Sequence, residues 1–240
     1  IAVGDAQVTI SGSTVTINPT ADLLINSTYN IQMASGVLKD LAGNAYAGIA
    51  DSTTLNFFAP DTTAPTLSIG SNVATLKSGE TATITFTFSE STSNFVFGDI
   101  VTSNGSVSNF TAVSAAVYTA TFTPQANLAS GNASITVASG AYTDAAGNTG
   151  GAGTTPTISI DTLRPTASIV MANTALIAGM SSAVTITFNE AVTGFTNADL
   201  TIANGTLSAV TAMDGGWTWM ASFTPTANIT DTSNLITLTN

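Results

Sequence analysis

The sequence of 240 residues contains no cysteine and no histidine. It therefore has no disulfide framework, no thiolate chemistry, no Ser–His–Asp or Cys–His catalytic arrangement, and none of the usual zinc sites. The glycine motifs that bind phosphates or dinucleotides are absent as well. Carboxylates of the kind that hydrolyse glycosides are present, but they recur with a repeat, which suits a structural role better. The sequence predicts a protein that is not an enzyme.

Charged side chains are also scarce, at 7% of the residues, against roughly 25% in typical globular domains. The 14 acidic residues are opposed by only Lys39, Lys77 and Arg164, so the formal net charge is −11. This balance argues against nucleic acid and against an anionic membrane surface as partners, and no direct membrane insertion is expected. It favours a cationic partner, of which a divalent metal ion is the obvious example.

What the chain does contain is an internal repeat with a spacing of about 100 residues. The matching stretches are 61–66 with 161–166, 83–90 with 184–190, 99–100 with 199–200, 104–105 with 204–205, and 122–124 with 223–225. Residues 61–160 hold one complete copy. Residues 1–60 align with the back half of a copy, and 161–240 with most of a third.

Alternation of threonine with apolar residues in 81–88, 118–123 and 183–188 is typical of half-buried antiparallel strands. Asn104-Gly105 and Asn204-Gly205, which lie between apolar runs, predict hairpin turns. The predicted fold class is all-β, with tandem immunoglobulin-like β-sandwich domains arranged as an elongated rod.

The expected domains are the C-terminal part of an Ig-like domain in residues 1–60, a complete one in 61–160, and one lacking its last strand in 161–240. Pro65 and Pro165 mark short joints, and proline restricts both its own backbone and that of the preceding residue. Joints without a flexible glycine- and serine-rich linker favour the rod.

Four motifs carry a resemblance to a known family. They are Asp-Thr-x-x-Pro-Thr at 61–66, Thr-Phe-Ser-Glu at 87–90, Phe-Thr-Pro at 122–124 and Tyr-Thr-Asp-Ala-Ala-Gly-Asn at 142–148. Through them, residues 61–240 resemble the bacterial Ig-like repeats of giant secreted adhesins, including those with RTX-type export signals. Through Tyr-Asn-Ile-Gln-Met at 29–33 and Val-Leu-Lys-Asp-Leu-Ala-Gly-Asn at 37–44, residues 1–60 are similar to related modules of S-layer and surface-anchored proteins. The resemblance implies a spacer role at the bacterial cell surface or in the extracellular space.

In such a sandwich, four carboxylates should meet where the chain enters the domain. Asp61 is the first residue of the copy, Glu90 ends a strand that returns to this end, and Asp99 lies early in the next strand. Asp144 and Asn148 form a turn at the same end. Repulsion between the carboxylates favours a bound cation, and ligands that are all oxygen select Ca²⁺ or, less readily, Mg²⁺.

Equivalent residues occur in the other copies. The remaining candidate ligands are Asp161, Glu190 and Asp199 in the third segment, and Asp40 and Asn44 in the first. The adhesin repeats that this chain resembles commonly hold calcium at their joints, so the resemblance implies the same metal. The alternative is turn chemistry alone, in which Asp and Asn side chains bind nearby backbone groups.

A second candidate binding feature is the pair Trp217 and Trp219. Residues two apart on a strand share one face, so these rings could stack on sugars, with Tyr118 as a further member of the platform. Packing in a core or against a neighbouring domain is the alternative explanation.

Together these features predict a structural spacer of a bacterial surface or secreted adhesin, stiffened by calcium at its joints. Expected partners are Ig-like repeats of the same chain or of another copy, with a host or biofilm glycan bound through a domain outside this segment. Two alternatives stay open. One is a carbohydrate-binding module of a secreted enzyme. The other is a filament subunit, in which residues 36–60 of one chain complement residues 161–240 of the next.

Overall fold

The computed structural model describes residues 5–231 and 234–239. Within them the secondary structure is β-strand with two single-turn 3₁₀ helices, and no helix is long and apolar enough to cross a membrane. Contacts divide the chain into two compact units. The first contains the residues up to Leu76 with 80–125 and 132–159; the second contains 77–79, 126–131 and the residues from Ile160 onward.

The first segment forms two antiparallel strand pairs. The strands are β1 (Val8–Ser11), β2 (Thr14–Ile17), β3 (Ser27–Asn30) and β4 (Asn56–Ala59), with β1 paired to β2 and β3 to β4. Most side chains of these strands are exposed, including Phe57 and Phe58 of β4. This segment therefore buries little of its apolar surface.

The central repeat contains ten strands and the helix η1. They are β5 (Leu67–Ser71), β6 (Thr75–Lys77), β7 (Ala82–Phe88), η1 (Phe97–Asp99), β8 (Ile100–Thr102), β9 (Gly105–Ser114), β10 (Val117–Pro124), β11 (Gly131–Ala133), β12 (Ile135–Val137), β13 (Gly153–Thr154) and β14 (Ile158–Asp161). The sheet orders are β5-β7-β10-β9, β11-β14-β6 and β13-β12-β8. This is the predicted β-sandwich, since inward side chains of all three sheets are buried.

Strand β7 shows how the sequence produces this core. Ala82, Ile84, Phe86 and Phe88 are buried, whereas the threonines between them point outward, because successive side chains of a strand face opposite ways. Tyr142 packs against the Phe88 ring at a centroid distance of 4.7 Å and donates a hydrogen bond of 3.3 Å to the backbone oxygen of Pro65. Burial raises the pKa of this phenol above its ordinary value of 10.0.

The third segment repeats the arrangement with an offset of about 100 residues. Its elements are β15 (Ala167–Met171), β16 (Ser182–Phe188), η2 (Asn197–Asp199), β17 (Leu200–Ile202), β18 (Gly205–Leu207), β19 (Thr211–Ala212), β20 (Thr218–Pro225) and β21 (Ile236–Leu238). The sheet orders are β15-β16-β20-β18, with β19 also on β20, and β17-β21. Strand β16 has the same alternating burial as β7, and Val184 and Ile186 are the centre of its core.

The prediction that the two Asn-Gly pairs form hairpins is wrong. Asn104-Gly105 joins β8 to β9, which belong to different sheets, and Asn204-Gly205 joins β17 to β18 in the same way. Both asparagines have φ of 52°, which asparagine tolerates better than most residues. Both glycines are needed for close packing, because a Cβ at Gly105 would overlap the ring of Phe122. The sequence correctly indicated a tight connection at each pair, but it did not show that the two connected strands belong to different sheets.

Replacing Gly105 with alanine should destabilise the central repeat by about 1–3 kcal/mol, because the new methyl group enters a filled core. Gly98→Ala is the matched control, since a Cβ there meets nothing within 4 Å. Calorimetric unfolding of the 240-residue chain measures both variants. Equal melting temperatures for the two would contradict the packing argument.

Candidate metal centre

Three of the predicted carboxylates come together in the central repeat. Asp61, Glu90 and Asp144 each place a carboxylate oxygen within 4.8 Å of the others. Asp61 is the first residue of the repeat, Glu90 follows β7, and Asp144 lies in the turn between β12 and β13. The fold therefore brings together acids that are separated by up to 83 positions, the distance in sequence between Asp61 and Asp144.

The Asp144 turn is held by its own side chains. The Asp144 carboxylate accepts hydrogen bonds of 2.8 Å from the backbone nitrogen and from the side-chain Nδ2 of Asn148. Asp144 is only 3% exposed. Burial acts to raise the pKa of this carboxyl, but the hydrogen bonds from Asn148 outweigh it, so the pKa lies below its ordinary value of 3.8. This carboxylate is thus ionised and satisfied within the turn.

Asp61 is tied to the same turn. The Asn148 amide also donates to the backbone oxygen of Asp61 at 3.1 Å, and the Asp61 carboxylate accepts a hydrogen bond of 2.9 Å from the backbone nitrogen of Thr63. Asp61 is 9% exposed. Asn148 therefore fixes the spacing between the start of the repeat and the turn.

Glu90 is the carboxylate whose ionisation is opposed. Its pKa is raised above the ordinary value of 4.5 by burial first, and then by the charges of Asp61 and Asp144. A cation among the three groups would reverse this effect, because an opposite charge favours the ionised form. The cluster is made only of carboxylate oxygens, which are the ligands that Ca²⁺ and Mg²⁺ prefer.

Asp99 is not part of this cluster. Its carboxylate accepts a hydrogen bond of 2.8 Å from the backbone nitrogen of Val96 and so caps η1. Asp199 does the same in the next repeat, where its carboxylate accepts from the backbone nitrogen of Thr196 at 2.8 Å and from the Thr196 hydroxyl at 3.1 Å. The structure gives these two residues a local capping role.

The other candidate ligands lie at equivalent positions of the first and third segments, but they do not form a cluster of three carboxylates among the described residues. Asp40 and Asn44 repeat the turn of Asp144 and Asn148, with two hydrogen bonds of 2.8 Å that lower the pKa of Asp40. In the third segment, Asp161 is exposed, and Glu190 has a buried Oε1 without a hydrogen-bond partner. Among the described residues the acids at 61, 90 and 144 are the one cluster of three that could hold a metal ion.

The two tryptophans differ in their surroundings. Trp219 packs its ring against Phe195 at 5.4 Å and donates from Nε1 to the backbone oxygen of Gly216 at 3.1 Å. Trp217 precedes β20 and is 48% exposed. Tyr118 belongs to an aromatic group in the central repeat, where it stacks on Phe110 at 5.5 Å. Trp217 is thus exposed, whereas Trp219 is packed within its own segment.

Sequence reasoning missed the residues that anchor the Asp144 turn from outside. The backbone nitrogen of Thr143 donates to the Asn94 side chain at 2.8 Å, and the Ser93 hydroxyl donates to the backbone oxygen of Asp144 at 3.4 Å. The sequence holds only a weak signal for them. Ser93 and Asn94 follow Glu90 closely, but the third segment has Thr193 and Gly194 at the corresponding positions, so a comparison of the repeats does not single them out.

The fold and its repeats define a tandem β-sandwich protein. A family model described as a bacterial Ig-like domain matches residues 61–160 and again 161–240, and a second model with the same description matches residues 2–58. The chain therefore belongs to the bacterial Ig-like domain family, as the sequence motifs indicated. No match was found among curated proteins.

Solved structures that this chain is similar to include two from Yersinia pseudotuberculosis. The adhesin InvE has 18% sequence identity and a TM-score of 0.30, over 67% of this chain and 51% of that chain. InvD has 22% identity and a TM-score of 0.29, over 72% of this chain and 56% of that chain. The chain thus spans about half the length of these two proteins.

The raised pKa of Glu90 predicts how stability depends on pH in buffers freed of divalent cations. A carboxyl with a raised pKa in the folded state binds its proton more tightly there. Its ionisation therefore costs stability as the pH rises from 4.5 through the folded-state value. Glu90→Gln should remove this part of the decline and leave the variant with the higher melting temperature at pH 7. If the melting temperatures of the variant and of the parent change with pH in the same way, Glu90 is not the source of the decline.

Proposed function

We propose that this chain is a spacer segment of a bacterial cell-surface adhesin, and that a calcium ion held by Asp61, Glu90 and Asp144 stabilises its central repeat. The observation that carries the proposal is the recurrence of one sandwich architecture along the chain, with the three acids gathered at the first residue of a repeat. The role is structural and extracellular, and its partners are neighbouring Ig-like repeats.

The kinds of residue that the two repeats share support a spacer role. The shared features of 61–160 and 161–240 are core and turn residues, such as the buried faces of β7 and β16 and the packed glycines Gly105 and Gly205. The sequence has no histidine or cysteine to supply a nucleophile or general base. What the repeats preserve is therefore the ability to fold and to follow one another.

The donor set supports calcium. The three carboxylates offer at least one oxygen each. Ca²⁺ takes about 6–8 oxygen ligands, so backbone carbonyls or water would supply the rest. Asp61 and Asp144 are almost fully buried, so their charges are held in place rather than free to separate. Burial and, after it, the charges of Asp61 and Asp144 raise the pKa of Glu90, and the ion would neutralise the second of these effects.

Calcium should raise the melting temperature of the parent chain above its value in chelator. When free calcium is about 100-fold above the dissociation constant, binding to the folded state contributes about 2.7 kcal/mol. Calorimetric melting and titration calorimetry measure the effect. Glu90→Gln should abolish it, whereas Asp22→Asn, at an exposed acid of the first segment, should leave it intact.

The outcomes separate the two parts of the proposal. An unchanged melting temperature and no heat of calcium binding would remove the metal and leave the spacer. Equal loss of the calcium effect in both variants would show that the ion acts through the net charge of −11 rather than at this cluster.

A spacer should also be extended in solution. A single compact domain of 240 residues has a radius of gyration of roughly 18 Å, and the proposal predicts a clearly larger value. Small-angle scattering of the chain, with and without calcium, measures it. A compact particle in both conditions would exclude the spacer role.

A further inference from the structure

Three apolar side chains that lie close together in the sequence are exposed in the central repeat. Val96 precedes η1, Phe97 begins it, and Val101 lies in β8, the strand that follows it directly. Their exposed fractions are 55%, 50% and 61%. The Phe97 ring lies beside the partly buried ring of Phe110 in β9, at a centroid distance of 6.3 Å. We call Val96, Phe97 and Val101 the η1 patch.

The third segment shows that the fold does not require these apolar side chains. Its corresponding residues are Thr196, Asn197 and Thr201, and its helix η2 has the same length as η1. Asn197 donates from Nδ2 to the backbone oxygens of Leu207 and Ser208 at 3.2 and 2.9 Å, so its side chain is used within its own segment. The η1 patch therefore distinguishes the central repeat from the third segment without being needed for folding.

The part of the chain that carries the η1 patch has little charge. Between Asp99 and Asp144 the sequence has no charged residue, which is the longest such interval in the chain. Strands β8 to β12 lie within it. The Asp99 carboxylate accepts a hydrogen bond of 2.8 Å from the backbone nitrogen of Val96. Two copies with a net charge of −11 each repel one another, so contact between them is least opposed where charges are sparse.

The η1 patch also lies at the flank of the sandwich where two sheets end. Strand β8 is the last strand of the order β13-β12-β8, and β9 is the last of the order β5-β7-β10-β9. The short connection at Asn104-Gly105 joins these two edge strands, so both lie at one flank. A two-fold axis can place the same flank of two copies face to face, since an isologous contact uses one patch twice.

The size of the η1 patch indicates a weak contact. Two valines and one phenylalanine at these exposures amount to roughly 300 Å², the lower end of the largest apolar patches on monomers, which are often functional. A standard stable interface buries about 800 Å² on each partner. The patch is thus too small for a permanent dimer but fits a reversible one.

We propose that the η1 patch is a weak docking surface for the η1 patch of a second copy of this chain. The contact buries Phe97 and the two valines against their counterparts and holds two chains side by side. It goes beyond the spacer role and does not involve the cluster of Asp61, Glu90 and Asp144. Where many copies are displayed together, such contacts reinforce one another because the effective concentration is high.

Sedimentation velocity of the 240-residue chain in the presence of a chelator tests the proposal. The sedimentation coefficient should rise with protein concentration toward that of a dimer. Added NaCl should strengthen the association, because salt screens the repulsion between two acidic copies and leaves an apolar contact intact. A monomer at every attainable concentration, or an association that NaCl weakens, overturns the proposal.

Residues of the third segment supply the matched variant. Val96→Thr, Phe97→Asn and Val101→Thr together give the central repeat the residues of its sister repeat. This variant should self-associate at least about tenfold more weakly, because it loses the apolar surface that the contact buries. Val170→Thr in β15, where the valine is also 61% exposed, is the control and should associate as the parent does. Calorimetric melting checks that both variants fold, and equal association constants for the two overturn the proposal.

Two further measurements identify other uses of this surface. If the chain associates only with calcium and Glu90→Gln prevents it, the acidic cluster makes the contact and the proposal is overturned. If the parent stays monomeric but binds a glycan array, and the triple variant does not, the η1 patch binds a sugar and the second copy is excluded. Calcium-independent dimers that only the triple variant loses support the proposal.

Discussion

The structure depends on covering the inward faces of strands in which every second residue is apolar. In β7 these residues are aliphatic or aromatic, while threonine points outward, and β16 has the same pattern from Val184 onward. The chain has only 7% charged residues, so an uncovered apolar face would have few neighbouring charges to keep it soluble. In the central repeat, Ile135 and Ile158 from the other sheets complete the cover, and both are 0% exposed. The sandwich is the arrangement that satisfies this requirement.

The same burial places the acids in unequal environments. Asp144 is almost fully buried, yet its pKa is lowered because two groups of Asn148 donate to it. For Glu90 burial and both neighbouring charges act in one direction, and the pKa is raised. Hydrogen bonds within the turn therefore stabilise the ionised form of Asp144, whereas the ionised form of Glu90 remains unfavourable. A cation in the cluster would favour the ionised form of Glu90.

Much of this could be predicted from the sequence because it follows from periodicity. The alternation of β7 and the repeat near 100 residues indicate the fold, and the return of the chain to one end of the sandwich brings Glu90 to Asp61 and Asp144. Asp99 was expected with them because it lies near the same end. Its carboxylate instead binds the backbone nitrogen of Val96, three residues earlier, and such local side-chain bonds compete with longer-range contacts.

Local propensity also does not decide which residues become strands here. Thr75-Leu76-Lys77 and Ala175-Leu176-Ile177 occupy corresponding positions between matching bends and turns, but the first is a strand and the second is not. Isoleucine has a higher preference for strands than lysine, so intrinsic preference favours the wrong one. The difference is the neighbour, since β6 pairs with β14, whereas residues 175–177 pair with no strand among the described residues. Strand structure at this edge is thus a consequence of pairing within the sheet and not of intrinsic preference.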